Sequence, residues 1–427
     1  MNVKISKISV SSLCVIRLNF LVSRLLGLAP FEFVRSETSL EDKKLKRETL
    51  TFRYSRTGAA SNLIWMLVVS ILHYNFVYTA CVEERDDGSL TSKAIGICLA
   101  MNGLVLLTFL PLKYLFEQRK IVSFANRLMK IDKSLNELRD VYHLNSGNVR
   151  LLLMTVAHLI CCLLVLFSES ILLQNSAASI TIYVGQTVVL TFYITQYALV
   201  VTLMEKRFAS LNDALLRIST NNVRTYTLTA SQRSLNRSVT VEVMIIKRAY
   251  VILSDMCREI ADFYAAATIF IVIHFSTSIM YSSYLMIITP MIKTWGIGVF
   301  LDYVNTGFWL LFELAPLTVL VTSAARASKE MKRTSEVVHR LLATCAASRE
   351  FRRELKNFSL DLLHRNFKFT AYDMFSLDAS LMNSIFSAIA TYLVIFLQFQ
   401  IKNSVYMRDE MTTTAISHLD SDVTSLP

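Results

Sequence analysis

The sequence predicts an all-α membrane protein with seven transmembrane helices, a cytoplasmic N-terminus, an extracellular C-terminus and cytoplasmic helical extensions. Three observations lead there. The chain of 427 residues is 53% hydrophobic with a mean hydropathy of +0.44, too apolar for an ordinary soluble domain. Seven apolar runs are long enough to cross a bilayer core. The basic residues are concentrated in alternate connections between those runs.

The runs are 59–79, 94–115, 151–173, 180–204, 263–288, 296–324 and 381–399. Residues 1–58, 114–149, 205–262 and 325–380 hold eleven, six, nine and eleven Lys and Arg, whereas 82–93, 174–179, 289–295 and 401–427 hold two, none, one and two. By the positive-inside rule the N-terminus and the three long connections are cytoplasmic, and seven spans then put the C-terminus outside. This is opposite to a G-protein-coupled receptor, one of two other classes weighed. A secondary transporter, the other, should show internal repeats and broken helices at matching positions, and the sequence shows no such symmetry.

In order along the chain, 8–31 is apolar but interrupted by Arg17, Asn19 and Arg24, with no small-residue cleavage site. It reads as an amphipathic helix on the inner membrane surface. The cytoplasmic connections carry apolar residues at helical spacing around 124–141, 208–218, 245–260 and 337–363, so the spans should extend inward as long helices. In 337–363 the stripe Leu341, Leu342, Phe351, Leu355, Phe358 and Leu362 is expected to pack against neighbouring subunits. Residues 221–237, rich in Ser, Thr and Asn, are the expected mobile loop. Charge runs such as 349–356 read as solvated faces or inter-helix ion pairs. The +11 net charge and seven cysteines suggest neither nucleic-acid binding nor a disulfide framework, since no basic binding module is present and the cysteines lie in or beside apolar runs. No catalytic motif, cofactor motif or metal-ligand spacing is found, so an enzyme is not expected. His158 and His274 read as packing residues.

Polar residues within the spans are better placed. In the sixth, Asp302, Asn305, Thr306, Trp309 and Glu313 recur at three to four residues on one face. The fifth carries Thr277, Tyr281 and Tyr284, the fourth opens with Tyr183, Gln186 and Thr187, and the third ends with Glu169. These faces are expected to converge at the outer end as a pocket for a small polar ligand. The bland readings are interface-belt tyrosines for Tyr281 and Tyr284 and a structural inter-helix hydrogen bond for Trp309 and Glu313. In the last run Ser384, Ser387, Thr391 and Gln398 share a face interrupted by Val394 and Ile395. Such a stripe is either a small-residue seam against another helix or one wall of a wet path.

The segment Thr391-Tyr392-Leu393-Val394-Ile395-Phe396-Leu397-Gln398-Phe399 resembles the C-terminal TYhhhhhQF signature of the insect gustatory receptor family, where h is hydrophobic. Gly27-Leu28-Ala29-Pro30-Phe31 is similar to a weaker N-terminal pattern of that family. The resemblance implies a homotetramer, or a heteromer with related receptors, in the plasma membrane of chemosensory neurons. It implies a region over 1–380 that binds the tastant, a pore helix at 381–400 and an extracellular tail at 401–427. Function would be that of a tastant-gated, non-selective cation channel needing no cofactor. The tastant class stays open: the pocket suits a sugar through hydrogen bonds and stacking, or a bitter alkaloid through charge and stacking. Periodicity favours a gate at Val394 or Ile395, whereas the resemblance places it at Gln398 and Phe399, with Thr391 and Tyr392 holding the helix against its surroundings.

Overall fold

Each apolar run forms a helix, and four of them continue well past the apolar stretch. In the computed structural model, which describes residues 20–29, 31–38, 47–82, 90–135, 138, 149–172, 177–225, 232–292, 296–344, 349–365 and 367–398, the helices are α1 (Arg56–Val82), α2 (Leu90–Leu135), α3 (Val149–Phe167), α4 (Ala177–Thr225), α5 (Gln232–Ile292), α6 (Ile297–Thr344), α7 (Arg349–His364) and α8 (Ala379–Gln398). Seven, all except α7, are long and apolar enough to span a membrane. At 61 residues, α5 is about 90 Å long, three times a bilayer core. The extensions belong to the C-terminal halves of α2, α4 and α6 and the N-terminal half of α5, so the up-and-down order gathers them at one end.

Charged pairs join these extensions. Arg207 on α4 forks onto Asp132 of α2, at 2.9 and 2.6 Å, and Arg127 of α2 pairs with Glu259 of α5. Asn212 of α4 donates to the Glu330 carboxylate of α6 at 3.0 Å and accepts from Thr334 at 2.7 Å. Lys247 and Asp255 of α5 pair with Asp361 and Arg365 in and just after α7. The apolar stripe expected to meet other subunits is instead largely covered by its own chain: Leu341, Phe351, Leu355, Phe358 and Leu362 are buried and Leu342 is half-buried. It also belongs to two helices, because α6 ends at Thr344 and α7 begins at Arg349. The apolar side chains that α7 leaves outside are Leu360 and Leu363. Of the expected loop at 221–237, residues 221–225 are the end of α4 and 232–237 the start of α5, while 226–231 lie outside the described residues. The long apolar periodicity on either side outweighs its Ser and Thr content.

Of the segment 8–31 expected as a surface helix, residues 8–19 lie outside the described residues. Residues 20–25 form a short helix that stops at Gly27, whose φ of +74° no β-carbon favours. Leu28 N–H donates to the Ser23 carbonyl at 2.7 Å and Gly27 N–H to that of Arg24 at 3.3 Å, a Schellman stop. A β-carbon on Gly27 would also lie 2.4 Å from Asn62 Oδ1 on α1. The Gly-Leu-Ala pattern therefore has a mechanical role: it turns the chain and buries Leu28 and Ala29. An antiparallel hairpin follows, β1 (Phe31–Thr38) with β2 (Arg47–Tyr54). Asn126 on α2 holds it by bonding both Phe52 N–H and Phe52 C=O, at 3.1 and 3.0 Å. Ser55 caps α1 through Gly58 N–H and donates to Glu32 at 2.6 Å. This bond, with a second from Thr57, holds the Glu32 carboxyl below its usual range.

Between α7 and α8 lies a small hairpin, β3 (Thr370–Ala371) with β4 (Phe375–Ser376). Its turn puts Tyr372 and Asp373 at φ +49° and +56°, where Asn and Gly are the usual occupants. Thr370 Oγ1 bonds Asp373 at 2.9 Å. Asp378 then caps α8 through Ser380 N–H at 2.9 Å.

The core is centred on α4. Of its most apolar stretch, 78% is buried, against 11% for α8. Leu190, Ile194, Val201, Met204, Phe208, Leu211 and Leu215 are fully enclosed.

Candidate functional site

At the opposite end of the bundle from the charged extensions, α3 finishes in a π-helical turn, Ser168–Leu172. Such wide turns insert one residue into a helix and often mark functional positions. Here the consecutive side chains Ser168 and Glu169 both meet α6. Ser168 Oγ donates to Asn305 Oδ1 at 2.6 Å. Asn305 Nδ2 and Trp309 Nε1 both donate to Glu169 Oε1, at 2.9 and 2.7 Å. The amide, the indole and the carboxylate thus lock one another's orientation. Trp309 lies 6.3 Å from Phe312, ring centre to ring centre, and Phe312 stacks on His158.

One turn further along α6, Glu313 is fully enclosed. Ser278 of α5 donates to its Oε1 at 2.5 Å, so the expected structural hydrogen bond does exist. The second oxygen, Oε2, has no partner among the described residues. Asp302 is half-buried, and its carbonyl accepts the Thr306 hydroxyl.

The other expected pocket residues divide. Tyr281 is half-buried on α5, while Tyr284 is buried with its ring 6.1 Å from Phe396 of α8. Thr277 bonds the Ile273 carbonyl of its own helix. Tyr183 is exposed. Gln186 is turned to a different purpose. Its Oε1 accepts from His73 Nε2 of α1 at 2.8 Å, and its Nε2 donates to His274 Nε2 of α5 at 3.3 Å and to the Leu99 carbonyl of α2. Gly103 of α2 makes room for it: a β-carbon there would sit 1.8 Å from the Gln186 amide carbon. This hub joins four helices and engages both N–H donors of Gln186. His274 is a packing residue, as expected. Ser168, Ser278 and His73 were not singled out in the sequence. His73 had a signal, as a lone ionisable residue in the first apolar run.

On α8, Leu381, Ile385 and Ile389 are buried against the rest of the chain. Ser384, Ser387, Thr391, Val394, Ile395 and Gln398 are all exposed. The stripe is therefore no seam against another helix of the same chain. Thr391 bonds the Ser387 carbonyl, and Tyr392 is exposed as well. Phe399 and the tail beyond it lie outside the described residues. Among the described residues no three His, Cys, Asp or Glu side chains converge as a metal site.

A family model described as 7tm Chemosensory receptor matches residues 16–403. Gustatory and pheromone receptor 32a of Drosophila melanogaster is 34% identical over 92 residues, covering 22% of this chain and 19% of that receptor. Gustatory receptor 23a of the same species is 29% identical over 155 residues, 36% of this chain and 40% of that one. These matches span less than half of the relatives' length. The fold is similar to that of the insect olfactory receptor OR5 from Machilis hrabei, with a TM-score of 0.55 at 11% identity over 90% of this chain and 97% of that one. That receptor has also been solved in complex with eugenol. With the family match covering most of its length, the chain belongs to the 7tm chemosensory receptor family, as the signature in its last helix implied.

Proposed function

We propose that the chain is a tastant-gated, non-selective cation channel of chemosensory neurons, assembled as a tetramer around four copies of α8. The observation that carries this reading is the polar stripe of α8, which faces away from its own chain. A membrane helix that turns a row of serine, threonine and glutamine outward is suited to water or another copy of itself beyond that face. The last helix carries no acidic residue, so strong selectivity among cations is not expected. The Lys and Arg asymmetry supports a cytoplasmic N-terminus, with the charged helical extensions inside. On that orientation Glu169, Asn305, Trp309 and Glu313 lie at the outer end, where a tastant arrives. The eugenol complex of the olfactory receptor supports a small-molecule ligand for this fold. A G-protein-coupled receptor would require the N-terminus outside, and neither the family nor the fold favours it.

The gate belongs at the outer end of α8. A modest rotation exchanges Gln398 for Phe399 in the lining, because adjacent residues differ by about 100°. Expression of the chain alone, with currents recorded against sugars and bitter compounds, tests the proposal. Ligand-evoked cation current is expected, with Phe399→Ala conducting without ligand and Ile395→Ala changing little. Surface-expressed protein that never conducts, alone or beside related receptors, would overturn the channel reading. Leak through Ile395→Ala with a silent Phe399→Ala would move the gate one turn deeper.

A further inference from the structure

The Glu313 side chain poses a chemical question that the pocket as described does not answer. It is fully enclosed, yet among the described residues only one of its two oxygens is hydrogen-bonded, and that bond comes from a neutral serine. Carboxylates held in apolar surroundings are costly unless a cation or further donors satisfy them. The neighbouring spans offer no cation, since residues 151–204, 263–288 and 296–324 contain no Lys or Arg. Trp309 precedes Glu313 by four residues and therefore lies over it on the same face of α6, nearer the end where the helix begins. Its indole is fixed by the bond to Glu169, and Phe312 stands beside it. A fixed acid beneath a fixed aromatic wall is complementary to a positive nitrogen carried on a ring, by ion pairing and by cation–π attraction together.

We propose that the ligand class of this pocket is a small protonated aromatic amine, its ammonium pairing with Glu313 and its ring packing on Trp309. The assignment rests on the ligand-gated reading above and narrows it. A neutral sugar could donate a hydroxyl to the Glu313 oxygen but would leave its charge uncompensated, and a carboxylate ligand would be repelled. Glu169 already accepts two N–H donors and keeps the wall in place, so Glu313 is the group that discriminates.

Matched pairs that differ only in ammonium against hydroxyl provide the test. Tryptamine is compared with indole-3-ethanol and 2-phenylethylamine with 2-phenylethanol, both by current in cells and by direct binding to the purified full chain in lipid nanodiscs. The amine of each pair should bind and gate at a concentration at least about tenfold lower than its alcohol, since losing one partner of a buried charge pair costs at least that much. Glu313→Gln should erase the preference, while Glu313→Asp, which keeps the charge, should retain part of it. Equal potency within both pairs would overturn the inference, as would a preference that survives Glu313→Gln. Sugar-evoked current with no amine preference would sink the amine assignment and leave the channel reading standing. Glu313-dependent amine binding without any current would do the reverse.

Discussion

Helices α4 and α8 are both apolar segments with polar residues set at helical spacing, and the chain treats them in opposite ways. In α4 the polar side chains Gln186 and Thr202 are satisfied within the chain. Gln186 reaches three other helices, and Thr202 bonds the Ala198 carbonyl and Ser323. In α8 the apolar residues Leu381, Ile385 and Ile389 face the chain while Ser384, Ser387, Thr391 and Gln398 face away. The difference teaches that α4 is a structural axis, complete within one subunit. Helix α8 presents a polar face that its own chain does not cover.

The largest test of this contrast lies at the charged end. Leu355 is enclosed within its own chain and Leu363 is exposed. Leu355→Glu should destabilise the fold itself by about 3 kcal/mol or more, as burying an unpaired charge does, and lower total expression. Leu363→Glu should leave the subunit folded. If α7 meets neighbouring subunits, that variant loses tetramers on a native gel while its detergent-solubilised monomers melt normally. Tetramers persisting at full yield would remove Leu363 from the subunit interface.

Within the hub around Gln186, Gly103→Ala should come next in size. The added methyl occupies the space of the Gln186 amide, so the side chain must swing away and leave His73 and His274 unpaired. Each deprived group costs about 1–3 kcal/mol, and a clear fall in Tm of the purified chain is the expected result. An unchanged Tm would mean that Gln186 finds other partners.

Trp309→Ala should leave folding and conductance intact and raise the half-activating ligand concentration by the equivalent of about 1–3 kcal/mol. A dose response that does not move would take Trp309 out of the pocket and return it to the structural role that its bond to Glu169 already provides.

Much of this arrangement was legible in the sequence because the membrane imposes a simple rule, that a run of about twenty apolar residues is a helix. The seven runs and the extended arms followed from it. The clustering of Asn305 and Trp309 with Glu169 followed from spacing and from charge position. What was not legible depends on contacts between distant segments. Gln186 and Glu169 look alike as polar residues near span ends, and only the packing of Gly103 against one and the π-helical turn beneath the other separates them. The stripe on 337–363 had the right periodicity, but periodicity does not reveal whether the covering surface belongs to the same chain. The hairpin of β1 and β2 did leave a signal. Phe31 with Phe33, and Leu50 with Phe52 and Tyr54, alternate with period two, the pattern of paired strands.

Cysteine accessibility along α8 tests the central claim most directly. Single cysteines are placed at Ser384, Ser387 and Thr391 on the exposed stripe and at Leu381, Ile385 and Ile389 on the buried one, and a small charged thiol reagent is applied to the conducting channel. The account predicts that current is blocked at Ser384→Cys, Ser387→Cys and Thr391→Cys and unaffected at Leu381→Cys, Ile385→Cys and Ile389→Cys. Block at the second set with none at the first, or no dependence on face, would contradict a pore lined by this helix.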